Sequence, residues 1–101
     1  MLHFLKDVST DLDGEPYEIV EHRFGVRKTQ LRALFVGDGT GKVIIEGRIP
    51  FIRHRNWFPL LTVTRTGTYE AWVMPQMRAR TEGLTGEITV QVAANLRGTQ
   101  Q

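Results

Sequence analysis

The sequence predicts an all-β fold, an antiparallel β-sandwich of jelly-roll or Ig-like type, with seven to eight short strands and an extended N-terminal arm. Three observations lead to this prediction. Apolar and polar residues alternate along most segments, as is typical of half-buried strands. Turn sequences that contain glycine separate these segments at short spacings. Apolar residues do not recur at the spacing of an amphipathic helix over any long window.

The N-terminal segment is acidic and has one short apolar stripe, in which Phe4 and Leu5 are candidate contact residues. Such an arm can add a strand to a neighbouring subunit or lie across it. The alternative is an edge strand of its own sheet, with its acids neutralising a basic face. The predicted parts of the chain are an arm at residues 1–16, a β-sandwich domain at 17–96 and a flexible tail at 97–101.

Seven alternating segments follow the arm. They are YEIVEHRF (17–24), TQLRALFVG (29–37), GKVIIEGRI (41–49), WFPLLTVT (57–64), GTYEAWVM (67–74), MRART (77–81) and GEITVQVAANL (86–96). In the second of them, Leu31 and Ala33 are expected to face the core and Arg32 the solvent. In the third, Val43 and Ile45 are expected to point inward. Each segment therefore has one side suited to a core.

The glycine-rich stretch VGDGTGK (36–42) predicts a tight hairpin turn. It has a superficial likeness to a phosphate-binding loop, but the spacing of the glycines does not match that motif. In addition, Val43 follows Lys42 where the motif requires serine or threonine. No helix is expected to begin there and contribute its dipole to phosphate binding.

Charge is distributed unevenly along the 101 residues, although the formal net charge is only +2. Residues 1–21 carry six acids against one lysine, a net −5. Residues 22–80 carry eleven basic residues against three acids, a net +8. Ten of the thirteen basic residues are arginine, which is favoured where a charge must stack or bind two acceptors at an interface. A solvated basic face is the simpler alternative.

The residues that usually carry catalysis or bind metals do not form a recognisable set. The chain has no cysteine, its three histidines lack ligand spacing, and Ser9 is its single serine. Glu46 and Glu70 could lie on neighbouring strands and resemble a glycosidase pair. Pairing of these acids with Arg48, Arg78 or Arg80 is the more common outcome. We therefore expect no enzyme activity, no cofactor and no metal.

Aromatic residues indicate binding instead. Trp57 and Trp72 could form a stacking platform for a carbohydrate, or for single-stranded nucleic acid beside Arg53 and Arg55. Nucleic acid is not the expected partner, because lysines are few and the N-terminal segment is acidic. Trp72 is expected to face outward. No apolar run is long enough to span a bilayer, so no membrane partner is expected either.

The connection RIPFIRHRNWFP (48–59) joins two predicted strands and combines arginines with large apolar residues. That composition is typical of a buried interface rather than of a solvated turn. The alternative is a loop that folds back over one open end of the sandwich. The candidate interface residues of the whole chain are Phe51, Ile52, Arg53, Arg55, Trp57, Trp72, Arg78, Arg80, Phe4 and Leu5.

From Gly37 onward the order of motifs resembles that of small β-sandwich structural proteins of tailed bacteriophages. The similar motifs are a glycine turn with a strand ending in Glu46–Gly47, a loop closed by Trp57, the GTY turn, and MRARTEGLTGEITVQV (77–92). They cover about the last 60 residues. The loop before Trp57 departs from the pattern, because the usual loop is short and polar.

The resemblance implies a virion structural protein without catalytic activity. We expect a capsid decoration, or cement, protein that is made in the host cytoplasm and binds the capsid surface. Its implied partners are the major capsid protein and other copies of itself, and many weak contacts would act together through avidity. A head-fibre, tail or baseplate component and a carbohydrate-binding module are the alternatives.

Overall fold

The structure, a computed structural model, describes residues 1–20, 28–49 and 56–100. It confirms the predicted all-β architecture of two packed antiparallel sheets. The strands are β1 (Leu2–Val8), β2 (Tyr17–Ile19), β3 (Lys28–Gly37), β4 (Thr40–Arg48), β5 (Phe58–Val63), β6 (Gly67–Trp72), β7 (Gln76–Thr85), β8 (Ile88–Ala94) and β9 (Gly98–Gln100).

One sheet has four strands in the order β1-β8-β3-β6, and the other has five in the order β5-β4-β7-β2-β9. Among the described strands, β4 and β5 are the single consecutive pair that are hydrogen-bonded neighbours. Every other step along the chain passes from one sheet to the other. The chain therefore crosses between the two sheets many times. The connection RIPFIRHRNWFP (48–59), in contrast, joins two strands of the same sheet.

The core lies between the sheets and is built from the inward sides of the alternating segments. Leu31 and Ala33 of β3 are buried while Arg32 is exposed, as predicted. Val43 and Ile45 of β4 are also buried as predicted. Burying each large aliphatic side chain contributes about 1.5–3 kcal/mol, so these sides define which way each strand faces.

The predicted N-terminal arm contains β1, which pairs with β8 at the edge of the four-stranded sheet. Phe4 and Leu5 are buried in the core, and the Phe4 ring contacts the Tyr17 ring edge-on at 5.8 Å. Of the two possibilities left open by the sequence, the structure has the edge strand of its own sheet. Phe4 and Leu5 are thus core residues, because burying them within the chain removes their apolar surface from water.

The predicted tail also contributes a strand, since β9 pairs with β2 at the edge of the five-stranded sheet. The nine strands of the described residues exceed the predicted seven to eight because the predicted arm and tail each contain one. The last part of the predicted strand 17–24 lies outside the described residues.

The glycine-rich stretch is a turn, as predicted, but it is not a hairpin. β3 and β4 belong to different sheets, so the turn carries the chain from one sheet to the other. Gly37 has a φ of 116°, and the N–H of Gly39 donates a hydrogen bond to the carbonyl of Glu87 at 2.9 Å. Strand β4 follows directly, so no helix begins at this turn.

Candidate functional site

Alternate residues of β4 and β7 project from the outer side of the five-stranded sheet, away from the core. These strands are antiparallel neighbours, and residues directly opposite each other in such a pair lie on one side of the sheet. Three of the opposed pairs join opposite charges or hydrogen-bonding partners. They are Lys42 with Glu82, Glu46 with Arg78, and Arg48 with Gln76.

Glu46 is a buried carboxylate near the middle of this surface. Arg78 Nε donates a hydrogen bond to Glu46 Oε1 at 2.9 Å, and Arg80 Nε lies 3.3 Å from Oε2. Each carboxylate oxygen therefore has a guanidinium partner, which compensates for the cost of burying the charge. The expected pairing of Glu46 with arginine is confirmed for these two.

Glu82 extends the charged row toward the end of β7. Arg80 Nη1 donates a hydrogen bond to Glu82 Oε2 at 2.7 Å, and Lys42 Nζ lies 3.3 Å from Oε1. The hydrogen bond from Arg80, followed by that from Lys42, lowers the pKa of Glu82 below its ordinary value. The same bond to Glu82 raises the pKa of Arg80. Because the Glu82 side chain is 46% exposed, water screens these charges and the gain in stability is modest.

Trp57 lies against two arginines at the other end of the charged row. Its ring centroid is 4.4 Å from Arg48 Cζ and 4.5 Å from Arg78 Cζ. A guanidinium stacked on an indole contributes about 0.5–2 kcal/mol, according to how far it is removed from water. Arg48 is held from a second direction, because its Nε donates to Gln76 Oε1 at 2.7 Å. We call Arg48, Trp57 and Arg78 the arginine–tryptophan cluster.

Sheet register brings together three of the residues that the sequence proposed as an interface. Trp57, Arg78 and Arg80 lie on the outer side of the five-stranded sheet, within or next to the arginine–tryptophan cluster. Four other candidates, Phe51, Ile52, Arg53 and Arg55, lie outside the described residues. The prediction that they contact a partner stays a prediction.

Trp72 lies on the other outer surface of the molecule. It is 44% exposed at the end of β6, and Lys28 Nζ stands 5.0 Å from its ring centroid. The prediction that this side chain faces outward is confirmed. Because β6 belongs to the four-stranded sheet and Trp57 lies on the five-stranded one, the two tryptophans do not form a single stacking platform. Glu46 and Glu70 are likewise on different sheets, so they do not form a carboxylate pair.

Arg48 and Gln76 also belong to this surface, although neither is among the interface residues that the sequence predicts. Their role depends on the pairing of β4 with β7, which places them opposite each other. Alternation along one strand gives the side on which a residue lies, but it does not give its neighbour on the next strand. A signal was nevertheless present, because Arg48 begins the unusual connection and Trp57 stands near its end.

Comparisons with known proteins add no relatives to this picture. The chain matches no protein-family model, no curated protein and no solved structure. Within the described residues, no three or more histidine, aspartate or glutamate side chains are grouped so that they could hold a metal ion. The same part of the chain has no helix that is long and apolar enough to cross a membrane.

Proposed function

We propose that this chain is a structural protein of a bacteriophage virion, most specifically a capsid decoration protein that binds the major capsid protein and stabilises the shell. The observation that carries the proposal is the arginine–tryptophan cluster on an outer sheet surface. Tryptophan and arginine are the residues most enriched among those that dominate protein–protein binding energy. The motif order from Gly37 onward supplies the link to phage structural proteins.

The position of the unusual connection supports the same proposal. β4 ends at Arg48 and β5 begins at Phe58, so the connection leaves and re-enters the sheet at the cluster. Phe58 is itself 38% exposed although it is a large apolar residue. An interface formed by the cluster would therefore be continuous with one formed by the candidate residues of the connection.

The mechanism that follows is mechanical. Each copy would bind the capsid through a modest surface, and copies on neighbouring subunits would hold the shell by acting together. Contacts between copies would add to this effect. Outer arginines that already stack on an aromatic ring lose little further side-chain freedom on binding, which favours the bound state.

Co-sedimentation tests the proposal. The purified protein is mixed with emptied heads and, separately, with isolated tails of the phage whose genome encodes the chain. We expect saturable binding to heads at a fixed ratio to the major capsid protein. The matched variants Trp57→Ala and Trp72→Ala remove one tryptophan from each outer surface, and we expect only the first to weaken binding.

Two outcomes would count against the proposal. Binding to tails alone would contradict a capsid decoration role and favour a tail or baseplate component. Binding to neither would contradict the virion role altogether. Circular dichroism of each variant establishes that lost binding does not reflect lost folding.

A further inference from the structure

We infer that the arginine–tryptophan cluster binds carboxylates, and that its partner is an acidic protein surface presenting at least two Asp or Glu side chains. This inference rests on the proposed function, because it names the chemistry of the surface that the protein would contact. It requires two arginines with open hydrogen-bonding groups, a rigid support and a local excess of positive charge.

Each of the two arginines is held through its Nε atom. Arg48 donates from Nε to Gln76, and Arg78 donates from Nε to Glu46. Within the described residues, neither arginine donates a hydrogen bond from its two terminal NH₂ groups. A guanidinium fixed through Nε keeps the paired end of its fork, which matches the two oxygens of a carboxylate.

The Trp57 ring gives both arginine side chains a rigid support. Both guanidinium groups stack on Trp57, at 4.4 and 4.5 Å from the ring centroid. Each arginine is thus restrained by a ring contact and by a hydrogen bond before any partner arrives. A long flexible side chain costs about 0.5–1.5 kcal/mol to immobilise on binding, and this restraint reduces that cost.

Positive charge exceeds negative charge among the described residues around the cluster. Among the described residues, Glu46 is the carboxylate that contacts the cluster, and it is shared between Arg78 and Arg80. No described carboxylate pairs with Arg48. Glu18 of β2 lies on the far side of Gln76 from Arg48 and has interactions of its own. The cluster therefore has a local excess of positive charge, and negative charge on a partner complements it.

Fluorescence of Trp57 reports on this site directly. Trp72→Phe leaves Trp57 as the one tryptophan of the chain, since the sequence has two. This protein is titrated with a decaglutamate peptide, with a decaglutamine peptide of the same length, and with oligothymidylate. We expect decaglutamate to change the Trp57 emission and decaglutamine to leave it unchanged.

Charge variants in the same background locate the binding. Arg48→Gln should weaken decaglutamate binding about tenfold or more, because it removes a charge-assisted pair of hydrogen bonds. Arg48→Lys keeps the charge but loses the fork, so it should fall between Arg48→Gln and the unchanged protein. The matched control is Arg32→Gln, an exposed arginine of the other sheet, which should change binding by less than about twofold. Unfolding midpoints of all variants confirm that they fold.

Equal binding by Arg48→Gln and Arg32→Gln would overturn the inference. So would binding of decaglutamine as tightly as decaglutamate, or tighter binding of oligothymidylate at the same site. The same variants separate this inference from the proposed function. Heads that bind Arg48→Gln as well as the unchanged protein would refute the inference alone. A carboxylate response at Trp57 without head binding would refute the proposed function alone.

Discussion

At the scale of single residues, the outer side of the five-stranded sheet is organised around buried Glu46. Its two oxygens each meet a guanidinium, and one of those arginines also stacks on Trp57. The carboxylate therefore links the charged row on β7 to the arginine–tryptophan cluster. Removing its charge would leave Arg78 and Arg80 repelling each other on neighbouring outer positions.

We expect Glu46→Gln to lower the free energy of unfolding by about 1–3 kcal/mol. The loss is smaller than that for a fully buried ion pair, because the Arg78 and Arg80 side chains are 20% and 29% exposed. Urea unfolding measures the change. Glu70→Gln is the matched control, since Glu70 is exposed on β6, and it should change stability by less than about 0.5 kcal/mol. Equal losses in the two variants would contradict this role for Glu46.

Glu82 predicts a specific dependence of stability on pH. Its folded-state pKa lies below the ordinary value of 4.5, first because of the hydrogen bond from Arg80. A lowered folded-state pKa stabilises the protein above the unfolded value, and the gain is lost as pH falls through the folded value. The unchanged protein should therefore exceed Glu82→Gln in stability at neutral pH, with the difference shrinking in acid below about pH 4.5. A difference that is the same at neutral and acid pH would contradict the pairing.

At the scale of strands and turns, most predicted strands were recovered because alternation along one strand is a local signal. β3 and β8 show it clearly, with buried and less buried residues in turn. The acidic composition and single apolar stripe of residues 1–16 predict an arm, and the alternation within β1 is too broken to indicate a strand. Phe4 and Leu5 are adjacent and both buried, since the register shifts between His3 and Leu5. A β-bulge of this kind is set by the pairing with β8, which the sequence of β1 alone does not contain.

For a related reason, the sequence does not predict which strands belong to which sheet. Alternation specifies which side of a strand is buried, but the packing of the whole core selects its neighbours. The turn at Gly37 and Gly39 was therefore predicted correctly as a turn and wrongly as a hairpin. The arginine–tryptophan cluster could not be predicted for the same reason. Arg48 and Arg78 contact the same Trp57 ring only because β4 pairs with β7.

Gly37 lies in that turn between the sheets, and Gly83 of β7 is a suitable comparison because it also has a positive φ. Gly37 has a φ of 116°, and a Cβ there would lie 2.2 Å from the carbonyl oxygen of Glu87. Gly83 has a φ of 69°, and a Cβ there would meet nothing within 4 Å. Gly83→Ala should cost about 1–2 kcal/mol from backbone strain alone. Gly37→Ala should cost at least about 3 kcal/mol, because the clash with backbone adds to the strain. Thermal unfolding of both variants measures the difference, and equal losses would contradict the close packing of this turn.

At the scale of the whole molecule, the two outer surfaces differ in chemistry. The five-stranded sheet presents an ordered row of charges that ends in the arginine–tryptophan cluster. The four-stranded sheet presents Leu34, Val36 and Trp72 as exposed apolar residues, with Lys28 near the last of them. We therefore predict that the molecule binds its partner with one defined side, the outer surface of the five-stranded sheet.

Quenching of each tryptophan by acrylamide, with and without phage heads, shows which side of the molecule the partner covers. Trp72→Phe isolates Trp57, and Trp57→Phe isolates Trp72 while keeping an aromatic ring beside the two arginines. We expect heads to protect Trp57 from acrylamide and to leave the quenching of Trp72 unchanged. Protection of Trp72 with unchanged quenching of Trp57 would contradict this prediction, because the partner would then cover the four-stranded sheet.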